Sequence, residues 1–193
     1  MPRVITDPEV RALATLSTML QSDYAAEELD WTGSPFAWIR ARPSRQVGTI
    51  GERMVAGWLA AKGFDVTRSP DSEADRRVNG HRVEIKFSTR WKSGIYKFQQ
   101  LRNQNYAFVI CLGVSPFDAH CWVIPKDELL SWWKESISQG REVGGIQPQH
   151  GGADGRDTAW LTIDPMSPPE WLSTYGGSLA VAASFLEKNA RRG

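Results

Sequence analysis

The stretch "ADRRVNGHRVEIKFS", residues 74 to 88, constrains the fold of this chain more than any other. Asn79 and Gly80 stand between two segments of alternating character. A two-residue connection of that kind predicts a type I′ β-hairpin, because both central residues must take positive φ. In the second arm, a period of two sends Val83, Ile85 and Phe87 to one face and Arg82, Glu84, Lys86 and Ser88 to the other. The strand is therefore expected to be buried on one side only, with Glu84 and Lys86 adjacent on the far side. Two readings of that pair are open: an ion pair on an exposed strand face, contributing at most about 1 kcal/mol, or the acid and base of an active site.

Asp75 sits across the hairpin, near the start of the preceding strand, where it approaches the same face if the sheet splays. Carboxylates a few ångströms apart repel, and a hard divalent cation such as Mg²⁺, which prefers oxygen ligands, relieves that repulsion. The chemistry such a site serves is phosphodiester hydrolysis. The metal polarises the phosphoryl oxygen and acidifies a bound water, while Lys86 positions or deprotonates that water and offsets charge in the transition state. Charge along the chain agrees. The net charge is only +1, yet residues 38 to 102 hold 14 Lys or Arg against 6 Asp or Glu. A segment of that balance suits a polyanion, with a solvated basic surface as the competing reading.

The remaining elements follow from period and punctuation. "DPEVRALATLSTMLQ" places Val10, Leu13, Leu16 and Leu20 at helical spacing behind Asp7 as N-cap and Pro8 at the first helical position. "WTGSPFAWIRARPSR" reads as an ordered loop that packs Trp31, Phe36 and Trp38. A helix returns through "GTIGERMVAGWLAAKGF" and stops at Lys62-Gly63. "FDVTRS" is a short strand, "FQQLRNQN" a short helix, and "YAFVICLGV" and "AHCWVIP" two strands, the first apolar enough to be central. "PKDELLSWWKES" is an amphipathic helix on which one of Trp132 and Trp133 faces inward and the other is free to mark a dimer contact. "GGIQPQHGGADGRD" is a Gly-rich loop, "TAWLTID" a strand, "MSPPEWLSTYGG" a turn with aromatic anchors, and "SLAVAASFLEKNA" a closing helix. Cys111 and Cys121 fall in apolar runs, so both are expected as free core thiols, and His81, His120 and His150 lack zinc-ligand spacing.

From "GTIGERMVAGWLAAKGFDVTRSP" through "ADRRVNGHRVEIKFS" the chain resembles the PD-(D/E)XK nuclease superfamily, with helix, strand and spacing especially similar to Holliday-junction resolvases and small restriction enzymes. The resemblance covers about residues 47 to 125. It implies an α/β fold with a restriction-endonuclease-like αβββαβ core, a central mixed sheet flanked by helices, and N- and C-terminal extensions. Residues 1 to 193 would form one nuclease domain, with its core at about 47 to 135, an N-terminal helix and loop before it, and a loop, strand and helix after it. By the same resemblance Asp75 and Glu84 are the metal-binding acids, Lys86 is the motif lysine, and Glu52 is the glutamate of the first core helix that contacts the metal directly or through water. Ala74 stands where many members have proline. Glu52 also reads as the end of a capping box, Thr49-x-x-Glu52, a use that competes for the same carboxylate. Gln99 and Gln100 are placed near substrate or water by likeness to a glutamine-bearing helix, although the Gln-x-x-x-Tyr spacing of one branch is missing.

The expected function is Mg²⁺-dependent DNA endonuclease, with Mn²⁺ able to substitute, serving as a restriction or defence enzyme. The alternatives are a Holliday-junction resolvase or repair nuclease, an RNA-directed nuclease, and a DNA-binding module without catalysis on the same fold. Arg40, Arg42, Arg45, Arg90, Lys92 and Lys97 are expected at the DNA backbone, Trp91 against nucleic acid, and His150 in a base-reading or backbone-clamping loop, each against a bland reading as surface or turn. Trp160 is expected in core or interface. With no long apolar run, and acids where a signal peptide would be apolar, a cytoplasmic protein without membrane contact is expected. A homodimer is expected, since cutting both strands of a duplex commonly takes two active sites.

Overall fold

A computed structural model describes residues 5–151 and 155–190, with the side chains of 22–27 left aside. Residues 1–4, 152–154 in the Gly-rich loop and 191–193 lie outside it. The chain begins with α1 (Pro8–Asp30), capped as expected: Asp7 Oδ1 accepts from the amides of Glu9 and Val10 at 2.8 and 3.1 Å. Its apolar positions Val10, Leu13, Leu16 and Leu20 are 46–65% exposed. After a short helix, α2 (Ala37–Arg40), comes α3 (Ser44–Ala61), which buries Gly51, Val55 and Leu59 at i, i+4, i+8 and ends before Gly63 at φ +89°. Trp31 is buried and Trp38 is not.

Helix α3 starts four residues earlier than "GTIGERM" suggests, because Pro43 takes the extended conformation of a helix entry at φ −56°, ψ 145°. This overturns the capping-box reading. The Thr49 hydroxyl donates back to the Arg45 carbonyl at 3.3 Å, and Glu52 lies two turns inside the helix with no orphan amide to satisfy.

The meander then runs through β1 (Val66–Arg68), β2 (Arg76–Val78) and β3 (His81–Thr89). Asn79 (φ +49°) and Gly80 (φ +86°) form the two-residue turn, with Val78 opposite His81. Beyond β4 (Tyr96–Leu101), β5 (Phe108–Val114) pairs parallel to β3, and β6 (Ala119–Pro125) returns antiparallel. The chain continues with α4 (Lys126–Gln139), β7 (Ile146–Gln149), β8 (Thr158–Ile163), a 3-10 turn at Glu170–Thr174, β9 (Gly176–Ser178) and α5 (Leu179–Asn189). The central sheet is six-stranded and mixed, in the order β1-β2-β3-β5-β6-β9, with helices against it. The expected class, a mixed α/β fold, holds.

Both faces of that sheet are covered. On one, Val83, Ile85, Ile110, Leu112 and Val123 pack with Val55 and Leu59 of α3 and Ala182 and Leu186 of α5. On the other, Val109, Cys111, Trp122 and Ile124 meet Tyr96, Phe98, Leu161 and Ile163 of a second sheet, β4-β8-β7, together with Leu129 and Trp133 of α4. The first half of the "FQQLRNQN" segment expected as a helix is therefore strand, and the second half is loop. Tyr96, Phe98 and Leu101 have a core to enter and β8 to pair with, and this tertiary demand outweighs the local helix preference of Gln, Leu and Arg. The ladder slips between Phe98 and Leu101, where Gln100 takes φ +56°. Part of the Gly-rich loop is likewise ordered as β7, opposite β8.

Two further expectations change. Trp132 stacks on Trp171 (centroids 5.4 Å, 22°), so an intramolecular contact takes the ring that was free to mark a dimer. β3 is not buried on one side only: Glu84 keeps 7% of its surface. Cys111 and Cys121 are free, buried, and on opposite faces of the sheet, with burial pushing both thiols up. Among the described residues no helix is long and apolar enough to cross a membrane.

The fit of α3 on β3 is testable. A Cβ on Gly51 would lie 2.2 Å from Phe87 Cβ, whereas one on Gly57 meets nothing within 4 Å. Gly51→Ala should lose about 1–3 kcal/mol or more in urea unfolding, and Gly57→Ala should gain up to about 1 kcal/mol. Equal stabilities would refute this packing.

Candidate active site

The edge of β3 explains how the acids come together. Arg76, the first residue of β2, pairs with Val83, and the Asp75 amide still bonds the Val83 carbonyl at 3.0 Å. One step further the ladder has no backbone acceptor for Ile85. The Asp75 carboxylate takes its place: Oδ2 accepts from the Ile85 amide at 2.7 Å. Asp75 thus reaches its place by ending a strand pairing, without any splaying of the sheet. Past this point the edge is open, and side chains from the two faces share one space.

From the face under the second sheet come Glu84 and Lys86, level with Val109 and Cys111 of β5. Their ion pair is 2.8 Å (Nζ to Oε1), the carboxylate side chain being 9% and the lysine 19% exposed. From the helix-covered side comes Glu52, 3.6 Å from Arg76, whose Nη1 also donates to the Asp75 carbonyl at 2.8 Å. Arg76 therefore holds Glu52 beside Asp75. Sequence reasoning missed that role, although the residue's place next to Asp75 was a signal. Ser88 is a second omission: its hydroxyl accepts from the Lys97 amide at 3.0 Å and ties β3 to β4 across the floor.

The acids interact electrostatically. Burial raises the Glu52 carboxyl above its ordinary 4.5, and the charge of Asp75 raises it further, against the lowering effect of Arg76. Burial also raises Glu84, opposed first by Lys86 and reinforced by Asp75. Tyr106 is pushed up by burial and by Glu84. Among the described residues, no three Asp, Glu, His or Cys side chains gather in metal-ligating geometry. The carboxylates are neighbours, but Glu84 is turned to Lys86 and Glu52 to Arg76.

A cleft of about 740 Å³ opens over these residues, lined by Glu52, Asp75 and Lys86, by Arg40, Arg42 and Arg45 from the helical entry, and by Trp91, Lys97, Gln99 and Gln100 from the β4 side. Arg40 lies 5.0 Å over the Trp31 ring, and Lys97 5.0 Å over both Trp91 and Trp160. Trp160 is only partly buried, and the sequence offered no sign of its contact with Lys97. Other candidates lie elsewhere. Arg90 is 3.6 Å from Asp30 and borders a separate hollow with Tyr96 and His120. Lys92 is exposed and does not line the cleft, and His150 projects from the β7–β8 loop, 3.4 Å from Asp157.

No known protein family matches the sequence, and no curated protein matches it. Among solved structures, a bacterial homing endonuclease, I-Ssp6803I, is similar over 47% of this chain and 74% of its own, at 16% identity and a TM-score of 0.37.

The raised carboxyls predict a pH dependence. A carboxyl with a higher pKa in the folded chain keeps protons that the unfolded chain has released, so its contribution to stability falls as pH rises above 4.5. Glu52→Gln removes that loss. The variant should match wild type near pH 4 and become more stable by up to about 1 kcal/mol toward pH 7, read as the difference between urea unfolding curves. A difference that shrinks with pH would show Glu52 to be stabilised as the anion.

Proposed function

We propose that the chain is a metal-dependent DNA endonuclease of the PD-(D/E)XK type, formed by residues 1 to 193 as one nuclease domain. The observation that carries this reading is the convergence of Glu52, Asp75 and Lys86, from a helix, a strand start and a central strand, at one basic-lined cleft, with Glu84 buried behind them and ion-paired to Lys86. The charge of Asp75 raises the proton affinity of both Glu52 and Glu84. Carboxylates so placed, with no thiol or imidazole among them, are the donor type a hard dication prefers, although a metal would require Glu84 and Glu52 to turn from Lys86 and Arg76. Mg²⁺, or Mn²⁺ in its place, held by Asp75 and Glu84 with Glu52 alongside, would supply Lewis acidity at a phosphoryl oxygen and a more acidic bound water.

The chain's own groups do the rest. Arg76 and the Ile85 amide keep Glu52 and Asp75 oriented before substrate arrives. The Lys86 ammonium orients the attacking water and offsets the charge that builds on the phosphoryl group. As the new P–O bond forms, the attacking water releases a proton to solvent, the bond to the leaving sugar oxygen breaks, and that oxygen takes up a proton from solvent. Arg40, Arg42, Arg45 and Lys97 offer contacts to the DNA backbone at the cleft. The reading includes a cytoplasmic restriction or defence role and a homodimer that cuts two strands with two sites. A second reading, a DNA-binding module without catalysis, is favoured by one observation: Glu84 and Lys86 neutralise each other at 2.8 Å.

The two are separated by incubating the protein with plasmid, linear duplex, single-stranded DNA and a four-way junction in Mg²⁺, Mn²⁺ or EDTA. Metal-dependent cutting is expected, falling about 10²-fold or more in Lys86→Ala and in Asp75→Asn. The asparagine keeps an oxygen for the Ile85 amide, so that variant should remain folded. DNA binding without cutting in any metal would support the module, and normal cutting by Lys86→Ala would remove that residue from the mechanism.

A further inference from the structure

The rim of the cleft carries chemistry that phosphate contacts do not require. Among the described residues, Trp38 and Trp91 are the tryptophans left about half exposed, at 51% and 47%. Both stand at this cleft: Trp91 lines it, and Trp38 lies under Arg42, which lines it, with the guanidinium 5.7 Å from the ring centroid. Trp91 sits on a locked turn. Its amide bonds the Ile95 carbonyl and its carbonyl accepts from Gly94, both at 2.9 Å, with Gly94 at φ +87°. Lys97 lies between Trp91 and Trp160, 5.0 Å from each ring centroid, and holds the two indoles in place from one side. Next to them the β4 bulge puts Gln99 and Gln100 at the surface of the same cleft, with Gln100 held at positive φ.

Rigid, half-exposed indoles, a cation and free-standing amides suit a nucleobase, whose face stacks and whose edge takes hydrogen bonds. In a continuous duplex both faces of each base are already covered by neighbouring bases. An indole can reach a base face only where the base is unpaired or at an end. We propose that the substrate is DNA with an unpaired segment next to the scissile phosphate, such as a flap, branch or single strand, and that Trp91 stacks on an unpaired base. This inference rests on the nuclease reading for the identity of the polymer and extends it to the class of substrate.

The test uses the full chain in EDTA and an oligonucleotide carrying 2-aminopurine at the first unpaired position of a flap, with a covalently closed duplex circle, which has no ends, as the comparison. Quenching of the 2-aminopurine and preference for the flap are expected. Trp91→Ala should weaken flap binding about tenfold or more, Trp91→Phe should retain most of it, and neither should alter duplex binding. Equal affinity for flap and duplex, or equal loss on both in Trp91→Ala, would overturn the stacking role. So would tighter binding of the same strand as RNA overturn the assignment of DNA. The two readings fail separately: no cutting in any metal, with flap preference intact, removes the nuclease and leaves the platform. Cutting of a covalently closed duplex circle as fast as flap, unchanged by Trp91→Ala, removes the platform and leaves the nuclease.

Discussion

An interior strand has to satisfy its backbone on both edges and its side chains on both faces, and the rest of this chain is arranged around meeting that demand for β3. β5 meets it on one edge for seven residue pairs, while β2 meets it on the other for only three. Where β2 stops, the Ile85 amide would be left without an acceptor in a partly closed setting, at a cost on the order of 1–3 kcal/mol. Asp75 supplies that acceptor. The same short strand that creates the shortage creates the opening at which Glu52, Glu84 and Lys86 meet Asp75. The geometry of the candidate site is thus a consequence of strand pairing rather than an addition to it.

This arrangement sets stability against chemistry. One buried and two half-buried carboxyls that repel one another are held there by neighbouring groups: Arg76 against Glu52, Lys86 against Glu84, a backbone amide against Asp75. Each partner lowers the cost of its own acid, yet Glu52 and Glu84 still ionise less readily than they would in water. Sites that bind charged ligands are often built this way, with the native state giving up stability that the ligand restores.

Much of this was legible in local patterns. Asn-Gly between alternating arms located the hairpin, Asp7-Pro8 located the start of α1, and the apolar run of β5 announced a central strand. These features work through neighbouring residues, so they survive translation from sequence to structure. The misreadings share a cause. "FQQLRNQN" has residues suited to a helix, and only β8, nearly sixty residues later, makes it a strand. The capping box at Thr49 looked complete, but Pro43 had already opened the helix. Trp132 looked unpartnered until Trp171, nearly forty residues on, stacked against it.

The sequence by itself determined the hairpin, the face on which Glu84 and Lys86 stand together, the nearness of Asp75, and the basic balance of the surrounding segment, because each depends on spacing within a few residues or on composition. The tertiary structure alone decided that Glu52 belongs with those acids rather than at a helix cap. It decided that a second sheet covers the Glu84 face, and that Trp160 joins Trp91 around Lys97 at the rim of the cleft. Those contacts join segments far apart in the chain. Their closure depends on which surfaces the whole core must bury, a quantity that no local pattern carries.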